Sequence, residues 1–264
     1  MIELILYSAF VLLLVRHRFF WVARHRKLPS KDSPLIMAHR GLKTNSPENT
    51  ISSFKEAIAA GFDALELDIL QTKDGELICS HNFDLERESN GIGWAQRSDY
   101  NEFKDIQTGI YTHPQNTQPI ARFKDVLNEI PKKIFLNIEI KTHSLFDLSA
   151  SKTLGKFFQK SAIDHSFMVS SFSPIVVAYF RLFFPKISIG YILQDISWLW
   201  ITHWIHPDYL HPRADLIDNE LLEMSQNHGL SLNLWTVNTI PALEWCKQKH
   251  ISGIISDNPK AIHV

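Results

Sequence analysis

Short apolar runs alternate with stretches of helical spacing from residue 34 to the carboxyl end of the chain. Residues 35–38 form a short, wholly apolar strand candidate, and residues 49–60 carry Ile51, Phe54 and Ile58 on one side at helical spacing. Pro47 and Asn49 suit the start of that helix and Gly61 its close. Residues 64–70 and 77–80 read as strands separated by the Lys73-Asp74-Gly75 turn. Residues 83–120, rich in Asn, Gly, Asp and Gln, break the rhythm and are expected to form an insertion with short structure of its own. Beyond it, helices are predicted at 123–130, 145–160, 174–184, 196–205, 218–228 and 241–249. Strands are predicted between them at 134–140, 167–172, 187–193, 209–211, 230–237 and 254–256. Strands that alternate with helices indicate a parallel sheet, and about eight such units indicate a closed (β/α)8 TIM barrel rather than an open doubly wound sheet. No G-x-G-x-x-G follows the first strand, which argues against a dinucleotide fold.

The amino terminus has a different pattern. Leu4 to Val15 is almost wholly apolar, with Glu3 before it and Arg16, His17 and Arg18 after it. A cleavable secretory signal carries its positive charge first, so this order excludes one. The run is also shorter than the roughly 20 residues of a comfortable membrane span. Residues 1–28 are therefore expected to be a membrane anchor, either a short span or an interfacial helix, with basic and aromatic residues at the headgroups on the cytoplasmic side. The remaining 34–264 would form one barrel domain carrying the insertion at about 83–120.

Composition narrows the partners. The 264 residues carry a formal net charge of −1, so neither a polyanionic nor a polycationic partner is indicated and nucleic acid is not expected. Cys79 and Cys246 lie far apart, and Cys79 sits inside a strand-like run, which reads as a buried free thiol in a reducing compartment.

Titratable residues sit where the predicted strands stop. His39 and Arg40 end the first strand, with Gly41 after them, and Glu66 and Asp68 lie two apart in the second, on the same side. His81 ends the next strand, Glu139 and Lys141 end the strand F-L-N-I-E-I-K, and Trp235 lies near the end of the seventh. In a parallel barrel the carboxyl ends of strands share one face. Three carboxylates there repel one another unless a cation or proton compensates, and all-oxygen ligation with room for water suits Mg2+ or Ca2+ rather than zinc. Two histidines beside such a cation form an acid–base pair, and Arg40 and Lys141 hold and neutralise an anion. That set matches the needs of phosphodiester cleavage.

The motifs H-R-G, P-E-N-T, E-L-D and S-H, followed by I-E-I-K, W-T-V-N and S-D-N-P, resemble the glycerophosphodiester phosphodiesterase family over residues 35–260. The resemblance implies metal-dependent hydrolysis of glycerophosphodiesters to an alcohol and sn-glycerol 3-phosphate on a (β/α)8 barrel. By matching motif, His39 and His81 become the acid–base pair, and Glu66, Asp68 and Glu139 the metal ligands. Arg40 and Lys141 become phosphate contacts, and Trp235 a wall of the substrate pocket. One departure stands out: the family commonly has His-Asp where this chain has His81-Asn82.

Two rival readings use the same residues. One is a lysophospholipase D acting on acylated phospholipids, the other a catalytically silent barrel that binds lipid headgroups. Trp198, Trp200 and Trp204 follow a strand and are expected on the active-site rim, where they would meet a bilayer or an acyl chain. His203, His206 and His211 are expected to be solvated surface residues.

Overall fold

The computed structural model describes residues 1–24, 28–29, 34–160 and 164–263. Helix α1 (Ile2–Phe19) is followed by β1 (Leu35–His39), α2 (Ile51–Ala59), β2 (Ala64–Gln71) and β3 (Leu77–Cys79). The short strands β4 (Gln107–Thr108) and β5 (Gln118–Pro119) precede α3 (Phe123–Glu129) and β6 (Phe135–Ile140). Next come α4 (Ser149–Lys160), β7 (Phe167–Ser171), α5 (Pro174–Phe183) and β8 (Ile189–Leu193). The chain closes with α6 (Thr202–Ile205), β9 (Tyr209–Pro212), α7 (Asn219–His228), β10 (Ser231–Trp235), α8 (Ile240–Gln248) and β11 (Gly253–Ser256).

Strand β1 pairs in parallel with both β2 and β11, which closes the ring β1-β2-β6-β7-β8-β9-β10-β11 into a TIM barrel. Alternation along each strand then divides the side chains. Leu65, Leu67 and Ile69 of β2, with Leu136 and Ile138 of β6, face the helices and join the large outer core. Leu35, Met37, Ala64, Phe135, Met168, Tyr209 and Ile255 fill the interior. The strands are buried on both faces, which is why they read as nearly unbroken apolar runs.

The insertion after the second barrel strand builds a small core of its own. Strand β3 runs antiparallel to β2, β4 pairs with β5, and Leu70, Ile78, Leu85, Ala95, Phe103 and Ile120 pack together beneath them. Both cysteines are free and buried. Several predicted boundaries move by a few residues. The helix predicted from 145 starts at Ser149, because Asp147 accepts hydrogen bonds from the Ser149 amide and hydroxyl and holds the preceding residues in a loop. The helix predicted over 196–205 splits into a 3-10 turn (Ile196–Ile201) and α6. The strand predicted from 187 begins at Ile189.

Helix α1 buries none of its residues. Among the described residues no helix is long and apolar enough to cross a membrane, so the spanning form expected for the amino terminus does not hold. The flanking charges explain this: Glu3, Arg16 and Arg18 lie inside the 18-residue helix and shorten its apolar part. The end of the expected anchor, residues 25–27, lies outside the described residues.

Past α1 the chain docks on the barrel. Trp21 is stacked between His206 and His228, with ring centroids 4.6 and 4.3 Å away, and its indole N–H donates to Nδ1 of His203 at 3.2 Å. The Ala23 amide donates to the His228 carbonyl at 2.8 Å. Arg24 forms a two-armed pair with the fully buried Asp208, at 2.7 and 2.6 Å, and also donates to the carbonyls of Pro185 and Ile187. These partners precede β8 and β9 or end α7, so the docking site is the amino-terminal end of the barrel strands.

This arrangement overturns the expectation of solvated histidines. His203 and His206 are half-buried around Trp21, and burial, reinforced by Arg18 and the neighbouring imidazoles, lowers His203 to about 4. His211 points into the barrel interior and is wholly buried. Burial pushes it down to about 3, and its Nε2 accepts from Asn233 at 3.0 Å. Gly190 makes the room: a Cβ there would stand 2.5 Å from Nε2 of His211.

Candidate active site

The site assembles at the opposite end of the barrel. Its first loop is set by backbone geometry. Arg40 has φ 58° and Gly41 φ 80°, and a Cβ on Gly41 would lie 2.5 Å from Oγ of Ser53, so only glycine fits the turn. Thr50 and Ser53 close a reciprocal cap on α2. The helix start thereby presents Glu48 and Asn49 to the strand ends. Nη1 of Arg40 donates to Oε1 of Glu48 at 2.8 Å, and Asn49 exchanges two hydrogen bonds with Asp68, side chain to side chain at 2.9 Å and from the Asp68 amide at 3.0 Å.

Register brings the carboxylates together. His39 lies opposite Glu66 across β1 and β2, and Asp68 lies opposite Glu139 across β2 and β6. One oxygen from each of Glu66, Asp68 and Glu139 falls within 4.8 Å of the others. Lys141 donates to Glu139 at 2.7 Å and stands 3.7 Å from Asp68. Nε of Arg40 lies 3.1 Å from Asp68, at an angle that makes an ion pair without a hydrogen bond. The Arg40 amide donates to Glu66 at 3.0 Å.

The electrostatics follow from this crowding. Burial raises Glu66 well above an ordinary carboxyl, with Asp68 and Glu139 adding to it and Arg40 opposing. Glu139 is raised to about 7 by burial, against the pull of Lys141. Asp68 goes the other way: burial would raise it, but Lys141, Arg40 and His81 together hold it below its ordinary value. Burial would lower Arg40 and Lys141, yet the surrounding carboxylates raise both. Two carboxyls favouring their protonated forms beside a third that stays ionised describe a cluster short of positive charge. Asp68 Oδ1 is buried with no hydrogen-bond partner. An all-oxygen cluster with an unpartnered buried lone pair fits a hard divalent cation.

The histidines flank this cluster. Nδ1 of His39 is 2.9 Å from Asp257, which also pairs with Lys43 at 2.6 Å and accepts from Asn238 at 3.0 Å. Burial would raise Asp257, but His39 and Lys43 hold it well below the usual carboxylate range. Nδ1 of His81 lies 3.2 Å from Oδ1 of Asn82, whose amide donates to Glu88 at 2.9 Å. Burial lowers His81, with Lys141 and Arg40 adding to the effect. Trp235 donates to the His211 carbonyl at 2.8 Å and meets Phe172 edge to face at 5.5 Å. Phe172 in turn lies 5.4 Å beneath the Lys141 ammonium. A small cavity bordered by His39, Glu66, Glu139, His211 and Trp235 lies at the centre.

All eight residues singled out from sequence thus face one another at this end. Sequence reasoning passed over Glu48, Asn49 and Asp257 as members of the site, although they stand inside the motifs P-E-N-T and S-D-N-P. Their signal was a charged or amide residue next to a turn, facing cations already assigned. Beside the site a groove of about 640 Å³ opens between the ends of β7, β8 and β9, lined by Leu145, Phe172, Tyr191, Ile196, Trp198 and Leu216. Trp198 therefore sits at the rim as expected. Trp204 does not, since its segment descends to the far end, where the Trp204 carbonyl meets His17 of α1 at 3.0 Å.

The closed parallel barrel and this charge pattern define a barrel phosphodiesterase. The model of the glycerophosphoryl diester phosphodiesterase family matches residues 39–261. A glycerophosphodiester phosphodiesterase of Caldanaerobacter subterraneus subsp. tengcongensis is 30% identical over 237 residues, covering 86% of this chain and 96% of that protein. One from Bacillus subtilis is 26% identical over 261 residues, covering 89% and 87%. The solved structure of an Oleispira antarctica phosphodiesterase in complex with the product sn-glycerol-3-phosphate is similar with a TM-score of 0.79 at 22% identity, over 88% of this chain and 98% of that one. A Thermotoga maritima glycerophosphodiester phosphodiesterase reaches 0.69 at 22% identity, over 89% and 99%. The chain belongs to the glycerophosphoryl diester phosphodiesterase family and is an enzyme of that class.

Proposed function

We propose that the protein hydrolyses glycerophosphodiesters to an alcohol and sn-glycerol 3-phosphate, with His39 and His81 as the proton-transfer pair. The observation that carries this reading is the meeting of Glu66, Asp68 and Glu139 with both imidazoles at one end of the barrel. Glu66, Asp68 and Glu139 would hold a divalent cation, Mg2+ or Ca2+, whose chemistry there would be Lewis-acid polarisation of a phosphoryl oxygen. Arg40 and Lys141 neutralise the remaining phosphoryl charge, which grows in the transition state. Trp235 and Phe172 wall the apolar side of the substrate.

Asp257 engages Nδ1 of His39, so Nε2 is the nitrogen free to move a proton. The lowered basicity of His81 leaves it neutral near pH 7, ready to accept one. The nucleophile is water or a vicinal hydroxyl of the glycerol. Release of sn-glycerol 3-phosphate from glycerophosphoethanolamine with Mg2+ or Ca2+ tests the reading, and chelator or His39→Ala should cut it by at least 100-fold, roughly the contribution of one general acid–base group. Turnover indifferent to both would sink it.

The groove favours a second reading, a lysophospholipase D activity in which the apolar walls of Phe172, Tyr191 and Leu216 receive an acyl chain. The same proposal makes residues 1–28 a lipid-embedded anchor and 34–264 the catalytic unit, held at the cytoplasmic face. Leu4 to Val15 supports this, since twelve helical residues reach about 18 Å, more than the roughly 15 Å of one leaflet's hydrocarbon.

A further inference from the structure

The geometry points to a lipid-contact face along the α5–α6 flank, on which the barrel lies side-on with its groove opening at the bilayer surface. This rests on the reading of α1 as lipid-embedded and adds the orientation of the catalytic body. Three observations lead to it. First, α1 is not a free tail. Its last turn is tied to α6 by two hydrogen bonds, His17 to the Trp204 carbonyl at 3.0 Å and His206 to the His17 carbonyl at 2.9 Å. Trp21 and Arg24, fixed in the barrel end, hold the segment from the other side. Insertion of α1 as far as Arg16 therefore brings Trp204 to headgroup level.

Second, the exposed apolar residues continue from that point. Trp204, Trp200, Trp198 and Ile196 are 41%, 54%, 47% and 45% exposed, and they climb the barrel from its lower end to the groove mouth. On the neighbouring α5, Leu182 and Phe183 are 73% and 64% exposed. Half-exposed indoles, apolar in body and polar at the N–H, match the headgroup boundary better than either water or a protein core.

Third, charge is arranged for an anionic surface. Residues 196–205 carry no charged group, and 174–183 carry only Arg181, which is turned to the buried Asp208 at 2.9 Å. Arg16 and Arg18 stand at the edge of the apolar run, the Arg18 guanidinium 5.0 Å over the Phe19 ring. A second copy of the chain fits less well, because α1 is apolar around most of its circumference and offers no single stripe for a partner helix. A fluid apolar medium fits that distribution.

The test uses the full chain and vesicles of phosphatidylcholine with phosphatidylglycerol, some carrying brominated acyl chains that quench nearby indoles. Wild-type protein should bind by flotation and lose part of its Trp emission. Trp198→Phe, Trp200→Phe and Trp204→Phe should each remove about a third of the quenched component while the protein still floats with the vesicles. Flotation with a quenched component that none of the three substitutions changes would overturn the side-on face and leave the anchor intact. Failure of wild-type protein to float would remove the anchor and the face together. A lipid-free dimer that shields the three indoles from aqueous iodide, and loses that shielding on Trp200→Glu, would assign the face to a second copy instead.

Discussion

At the scale of single residues, position 82 touches the imidazole of His81, whose Nδ1 lies 3.2 Å from Oδ1 of Asn82. A carboxylate there would raise the imidazole's basicity, but Asn82 also donates to Glu88, whose own carboxyl is raised by burial and by Glu48. Putting a second carboxylate beside Glu88 removes that donor and sets like charges together. Asn82→Asp alone should therefore change kcat/KM by less than about threefold, whereas Asn82→Asp with Glu88→Gln should raise it about tenfold, the worth of about 1.4 kcal/mol. Steady-state rates across pH 5.5–9 check this, with the acid limb moving up only in the double variant. The eight residues of the candidate site named from sequence were legible because each ends or lines a strand that reads as buried. His211 was not: it sits in β9 among residues that read as a weak strand, and its burial depends on Gly190 from a different part of the chain leaving space for the ring. No local pattern carries that information.

Among the elements, the docked amino-terminal segment was the least legible. The alternation of strands and helices located each barrel strand to within a few residues, since burial on both faces makes a strand conspicuous in sequence. The packing of Trp21 among His203, His206 and His228 joins residues some 180 to 207 positions apart, and nothing nearby in sequence signals it. Its energetics are testable. Deleting residues 1–20 removes the exposed side chains of α1, the half-buried Arg18 and the His17 contacts, and should leave unfolding free energy within about 0.5 kcal/mol. Arg24→Ala in that shortened chain should cost about 1–3 kcal/mol, because the wholly buried Asp208 loses its two-armed partner and, among the described residues, keeps Arg181 and the Ile189 amide. Urea unfolding followed by circular dichroism distinguishes the two outcomes.

For the whole molecule, the acidic cluster links stability to pH and to cations. The folded Glu139 carboxyl stands at about 7 against an ordinary value of 4.5, and Glu66 is raised as well, so the folded chain binds more protons than the unfolded one between those limits. Stabilisation from Glu139 is full below about pH 4.5 and is lost as pH rises through about 7 in cation-free protein, and Glu66 contributes with the same sign. Asp68 has the opposite sign, and its contribution is lost only as pH falls below the ordinary carboxylate range. On the proposed reading a divalent cation would replace the protons, so Mg2+ or Ca2+ at about 100 times Kd should raise Tm by roughly 5–10 °C at pH 8 and by clearly less at pH 5.5. Scanning calorimetry at the two pH values, with and without chelator, measures it; an equal shift at both would mean that the cation does not compete with protons at these carboxyls.

Most of the charged residues of the candidate site and most of the groove come from different arcs of the barrel. Arg40, Glu66, Asp68, His81, Glu139 and Lys141 all come from the β1–β6 arc, whereas the groove draws mainly on β7, β8, β9 and the turn at 196–201. On the proposed reading, choice of leaving group and power to break the ester bond would be written in largely separate stretches of the chain. A lineage could trade one alcohol for another by exchanging the second stretch, leaving the charged apparatus of the first untouched.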